Sequence, residues 1–133
     1  MAAERILVYH VEEQKLKKLV YLMAVRLKMK CKIVEYKDYN KTIDQLLHGG
    51  GEELADYDGE DMKEPMLVME GISGRRMDEL LRTLKTGGIG TIDLKAVVTP
   101  HNVNWDSMTL YRELESEHAK LHGQKEEVWK RKS

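Results

Sequence analysis

Gly71, Ser73, Gly74, Arg75 and Arg76 stand together within six positions. Residues of these types hold anions. Glycine lets the backbone approach a ligand closely. The free N–H groups of a first helical turn point outward, and a phosphate or carboxylate seats on them. Arginine adds charge-assisted hydrogen bonds. The two arginines are also electrostatically out of place, because a helix N-terminus carries about half a positive charge and prefers acids. A bound anion would turn that repulsion into attraction. The plainer reading makes Ser73 an N-cap, gives the turn to Gly71 and Gly74, and pairs the arginines with acids of 52–64. Neither GxxxxGK[ST] nor GxGxxG is present.

Thr99, Pro100, His101, Asn102, Asn104 and Trp105 form a second polar cluster. His101 has the chemistry of an acid or base near neutral pH. Asn102 and Asn104 can hydrogen-bond an amide or a base edge. The plainer reading makes Asn104 or Asp106 a helix cap and Trp105 a staple under the following helix.

Four other stretches carry weaker chemistry. His118 and His122 stand i, i+4 on a helix, but zinc needs a third or fourth ligand and no HExxH is present. "DYDGED" (56–61) lacks the spacing and the glutamate of a calcium loop. "HGGG" (48–51) would serve as an oxyanion loop only beside a nucleophile elbow, and there is no GxSxG. Cys31 has no CxxC partner and reads as a small hydrophobe. No metal and no cofactor is expected, and a catalytic role for His101 ranks third among the functional readings.

The elements that must position these residues follow from periodicity. "RILVYHV" (5–11) is a strand, and 12–30 a helix with Leu16, Leu19, Val20, Met23, Ala24 and Leu27 on one face. "CKIVEY" (31–36) is a strand. "TIDQLLHGGG" (42–51) is a short helix with capping-box spacing between Thr42 and Gln45. An acidic loop (52–64) leads to the strand "MLVME" (66–70). Helix 73–88 turns Met77, Leu80, Leu81 and Leu84 inward. Strand 91–98 alternates, with Ile92, Leu94, Ala96 and Val98 on one side. A last helix, 106–122, carries Met108, Tyr111, Leu114 and Leu121 on one stripe, and a charged tail (123–133) frays. The expectation is a single α/β domain over 1–122, with halves 5–51 and 65–122, plus the tail.

The halves match. Shifting the first onto the second lays Val8 on Met69, Leu16 on Met77, Leu19 on Leu80, Val20 on Leu81, Met23 on Leu84 and Ile33 on Leu94. This is either an internal duplication or two copies of one packing unit. Strands one and three are apolar throughout and belong at the centre; two and four carry charges on one side and belong at the edges. Two four-stranded sheets satisfy this: a ferredoxin-like antiparallel sheet of order 4-1-3-2, and a small doubly wound parallel sheet of order 2-1-3-4. In both, strands three and four run parallel. Residues 71–76 and 99–105 therefore emerge on one rim, where they would share a site.

Composition narrows the partners. The 133 residues hold 22 basic and 23 acidic side chains, a net charge of -1, which gives no electrostatic reason to expect nucleic acid or an anionic membrane. An RNA-recognition sheet needs stacked aromatics on its central strands; strand three has none and strand one only Tyr9. No stretch reaches the roughly 20 apolar residues of a membrane span. One cysteine and no leader-like N-terminus fit a cytoplasmic protein.

Glu64-Pro65, Gly71, "LKAVVTP" (94–100), Asn102, Trp105 and the stretch Glu113–His118 resemble, over residues 64–119, a small bacterial family of domains of unknown function, the one numbered thirty-seven eighty-three. The resemblance implies a bacterial cytoplasmic protein and no catalysis. The leading expectation is a binding or regulatory module holding an anionic small molecule or a partner's acidic segment at the 71–76 and 99–105 rim. The alternative is a homo-oligomeric assembly protein, joined through an edge strand or the Met-rich helix faces.

Overall fold

A computed structural model describes residues 3–132, and side chains over 3–121. The chain forms β1 (Arg5–Tyr9), α1 (Glu13–Tyr21), a π-helical turn (Leu22–Arg26), β2 (Lys30–Val34), a 3-10 turn (Tyr36–Asp38), α2 (Ile43–His48), β3 (Met66–Glu70), α3 (Gly74–Thr86), β4 (Leu94–Val97) and α4 (Ser107–Lys132). The four strands make one sheet of order β2-β1-β3-β4, the order of the doubly wound alternative. The sheet is mixed: β1–β2 and β3–β4 are parallel, and the central pair β1–β3 is antiparallel.

The acidic loop explains the mixed sheet. α2 runs back along the sheet until His48 reaches Glu70, the last residue of β3. A short link from there would start β3 at that end, parallel to β1. Instead the chain climbs back, tied by Asn40 donating to the Ala55 carbonyl and by the Tyr57 N–H donating to the Lys37 carbonyl, both at 2.8 Å. Met62 is buried at the top, and β3 then descends.

Two apolar layers flank the sheet. Leu7, Tyr9, Met66, Val68, Leu94 and Ala96 face α2 and α4. Ile6, Val8, Leu67 and Met69 face α1 and α3. α1 stops short of the expected 12–30 helix because the backbone widens into the π turn, where the Leu27 N–H donates to the Leu22 carbonyl. That extra residue turns Leu22, Met23 and Leu27 inward and leaves Ala24 exposed. Three other inward expectations are corrected. Leu81 and Leu121 are exposed. Ile92 precedes β4, so strand alternation does not bind it, and it joins the α1/α3 layer instead of that of Leu94 and Ala96. The last helix continues through the expected tail to Lys132.

The two halves are related by an approximate two-fold axis normal to the sheet. Leu7 pairs with Val68 at its centre, and their neighbours pair symmetrically, Ile6 with Met69 and Val8 with Leu67. Thr42 bridges Asp106, and these are equivalent N-caps: the Thr42 hydroxyl accepts from the Gln45 N–H, and Asp106 from the Thr109 N–H. α1 and α3 share one face, α2 and α4 the other. The correspondence shifts by three residues before β4. Arg5 pairs with Lys30 while its counterpart Met66 pairs with Leu94, so Ile33 answers to Val97, not Leu94.

Candidate functional site

One rim of the sheet gathers the starts of β1 and β2 and the ends of β3 and β4. Arg5 lies opposite Lys30 on one side and Glu70 on the other. The Val98 N–H donates to the Met69 carbonyl at 2.9 Å, so the segments following β3 and β4 leave the rim side by side. Gly71 makes the first turn with φ 72, in the left-handed region that glycine enters without strain.

Ser73 caps α3, its hydroxyl accepting from the Arg76 N–H. Arg76 does not point at open solvent. Its guanidinium clasps both carboxylate oxygens of Glu4 and one of Glu79, each at 2.8 Å, and also donates to the Leu27 carbonyl. These acids, not those of 52–64, offset the helix-terminal repulsion. The hydrogen bond from Arg76 holds the Glu4 carboxyl below its ordinary range. Arg76 thus ties α3 to the approach of β1 and to the end of the π turn, while Arg75 and Gly74 stay exposed. Arg76→Ala is expected to cost about 1 kcal/mol, since the pairs are only partly shielded from water. That corresponds to a melting drop of about 4 °C. Arg75→Ala should leave the melting temperature unchanged. Equal effects of the two substitutions in differential scanning calorimetry would contradict this.

The 99–105 loop is held from within. Asn102 is buried; its Oδ1 accepts from the Thr99 N–H at 2.9 Å and its Nδ2 donates to the Val97 carbonyl at 3.1 Å. The Thr99 hydroxyl accepts in return from the Asn102 N–H at 3.1 Å. The loop's carbonyls cap α2: Trp105 accepts from the Ile43 N–H and Val103 from the Asp44 N–H, both at 2.9 Å. His101 and Asn104 are exposed. The His101 ring meets the half-buried Trp105 ring edge-on, with centroids 5.1 Å apart. The two candidate clusters share a root but diverge. Ile72 and Met77 pack into the α1/α3 layer, and Trp105 into the α2/α4 layer.

Further along the rim lie residues that the sequence reading passed over. Arg5, Lys30 and Lys32 border a cleft of about 140 Å³ between the β1–β2 pair and α2, with Leu7, Leu46 and Leu47 among its other walls. Arg5 donates to Glu70 Oε1 at 3.0 Å. His48 bridges the same oxygen at 2.9 Å and Asp44 Oδ1 at 2.8 Å. Two acceptors, one on each ring nitrogen, favour the doubly protonated imidazolium. The Asp44 bond first, then the Glu70 bond, raise the His48 pKa above its usual 6.5. The signal was present in the alternating basic residues of "RLKMKCK" (26–32), but Arg5 joins them only through the parallel register.

This His48 bridge sets a pH dependence. A raised folded pKa gives stability that is fully present below the unfolded value and fades as pH rises through the folded one. Urea unfolding between pH 6 and 8.5 should show the wild type losing stability relative to His48→Gln. Parallel profiles would contradict the bridge.

The remaining candidates are placed as follows. His118 approaches Asp93 at 4.0 Å, and the side chain of His122 lies outside the described residues. Cys31 borders the cleft, and burial pushes its thiol up to about 11, away from reactive thiolate chemistry. In the acidic loop, Asp61 accepts from the Met62 N–H and stands 3.7 Å from His10. Among the described residues no group of three or more His, Cys, Asp or Glu is arranged to hold a metal ion, and no helix is long and apolar enough to cross a membrane.

No curated protein and no solved structure gives a significant match to the chain. The second half, β3 through α4 as far as residue 121, does match a family model. Residues 65–121 match the model of the domain of unknown function DUF3783.

Proposed function

We propose that this chain is a small cytoplasmic binding or regulatory module without catalysis, which holds an anionic small molecule or a partner's acidic segment at the rim just described. The supporting observation is the gathering of basic and polar side chains there. Arg5 and Lys30 face each other across β1 and β2, an unfavourable like-charge pairing that Glu70, bonded to one N–H of Arg5, offsets only in part. Arg75, His101 and Asn104 stand exposed around the ends of β3 and β4. His101 has the Trp105 ring as its described contact, not the carboxylate that would orient a general base. Nucleic acids and bilayers are not among the proposed partners.

Thermal melting of the full chain against phosphate, nucleotides, mono- and dicarboxylates and an acidic peptide tests this reading. A ligand at about ten times its dissociation constant stabilises by about 1.4 kcal/mol, or about 5 °C. At least one anion class should give such a shift, weakened by salt. A flat response across the whole panel would refute the reading.

A second reading is self-association through β4. That edge strand carries exposed Val97, and a groove of about 330 Å³ beside it is walled by Leu81, Leu84 and Ile92. Sedimentation equilibrium of the wild type and Leu81→Glu decides it: dimers lost in the variant support it, and a monomer at high concentration removes it.

A further inference from the structure

The two-fold relation between the halves exposes what is unusual about the cleft. Its three cations occupy positions that are core in the second half. Arg5 answers to Met66, Lys30 to Leu94 and Lys32 to Ala96, and all three counterparts are buried. The helices differ in the same sense. Leu46 answers to Leu110, and both are buried. Where α4 continues with Leu114 packed against its layer, α2 has already ended in three left-handed glycines. One half fills this space with its own side chains. The other leaves it open and lines it with positive charge.

The charge there is only partly matched. Glu70 engages one N–H of Arg5, which leaves most of the guanidinium fork available. Lys32 donates to the neutral Leu46 carbonyl, and Lys30 makes no ion pair among the described residues. Protection of an edge strand would account for lysines on β2. It would not account for an arginine on central β1 or for a leucine-walled recess beside it. A cavity of about 150 Å³ holds a benzene-sized body, and a cationic rim over apolar walls selects an amphipathic acid.

We propose that this cleft binds a small monocarboxylate with a compact apolar body, the carboxylate held by Arg5, Lys30 and Lys32 and the body resting on Leu7, Leu46 and Leu47. The inference rests on the reading of the chain as an anion-binding module and gives that module its seat and ligand class.

Isothermal titration calorimetry of the full chain with benzoate, isovalerate, neutral benzamide and inorganic phosphate tests it. A ligand of this size should bind with a dissociation constant of about 0.1–1 mM. Benzamide and phosphate should bind at least tenfold more weakly. Lys30→Gln and Lys32→Gln, exposed enough to leave the circular dichroism unchanged, should each weaken benzoate at least fivefold, and Arg5→Gln more. Lys17→Gln, exposed on α1 across the sheet from the cleft, should have no effect. Benzoate binding that survives Lys30→Gln and Lys32→Gln, or that is lost in Lys17→Gln, would overturn the cleft while leaving the module reading intact. Phosphate binding as tight as benzoate would overturn the ligand class. No binding by any acid here would overturn the inference, whereas the module reading falls only if the wider melting panel is also flat.

Discussion

Leu67→Ala is expected to lower the unfolding free energy by about 3–4 kcal/mol, the largest effect of any single substitution proposed for this chain. Leu67 is fully buried in central strand β3, in the layer of α1 and α3. Its neighbours Met66 and Val68 face the opposite layer. A cavity under Leu67 therefore weakens a strand that both layers share. Urea unfolding followed by circular dichroism and by tyrosine absorbance should give one transition at a lower midpoint, with the two probes coincident. A loss below about 1 kcal/mol, or two separated transitions, would contradict a sheet packed on both faces.

Asn102→Ala is expected to cost about 2 kcal/mol, because two shielded hydrogen bonds disappear together. One holds the Thr99 N–H and the other the Val97 carbonyl. The consequence reaches beyond the loop. Carbonyls of the same loop receive the Ile43 and Asp44 N–H groups at the start of α2, and α2 carries Leu46, Leu47 and His48 to the cleft and Glu70. Amide exchange at Ile43 and Asp44 should accelerate in the variant. Asn102→Asp keeps the acceptor for Thr99 and lacks the donor for Val97, so it should fall between wild type and alanine. Unchanged exchange at Ile43 and Asp44 would show that the loop does not position α2. Asn102 singled itself out by residue type as a ligand group; the geometry makes it a positioning residue.

Much of the frame was legible in the sequence. Apolar runs at "RILVYHV" and "MLVME" marked the central strands, since a strand buried on both faces has no polar alternation. Thr42 and Gln45 marked α2 through their reciprocal cap. The shared rim followed from the parallel β3–β4 unit alone. Strand direction at the centre was not legible, because burial ranks strands by depth and says nothing of which way they run. The return path of the 52–64 loop decides that, and its polar composition gives no sign of its course. The π turn was hidden for a related reason: Leu22, Met23 and Leu27 fit a continuous helix nearly as well as a widened one.

The site was legible in type and less so in position. Arg76 drew notice as a cation at a helix N-terminus, yet its partners Glu4 and Glu79 sit on either side of it in the chain, and only the fold brings Glu4 to it. Arg5 and Lys30 drew none. Each is an ordinary basic residue at the start of a strand until the parallel register sets them opposite one another. The comparison that separates them from edge-strand lysines needs the second half of the molecule as its reference.

An amide chemical-shift titration of the labelled full chain with benzoate probes the central idea, that anions settle on this rim of the sheet and on its first half in particular. The largest saturable shifts should fall on residues 5–7, 30–32 and 46–48, with smaller ones at 70–71 and none along α3 beyond its first turn. Shifts scattered over surface lysines without saturation, or confined to the far end of the sheet around His10, Asp61 and Lys63, would contradict it.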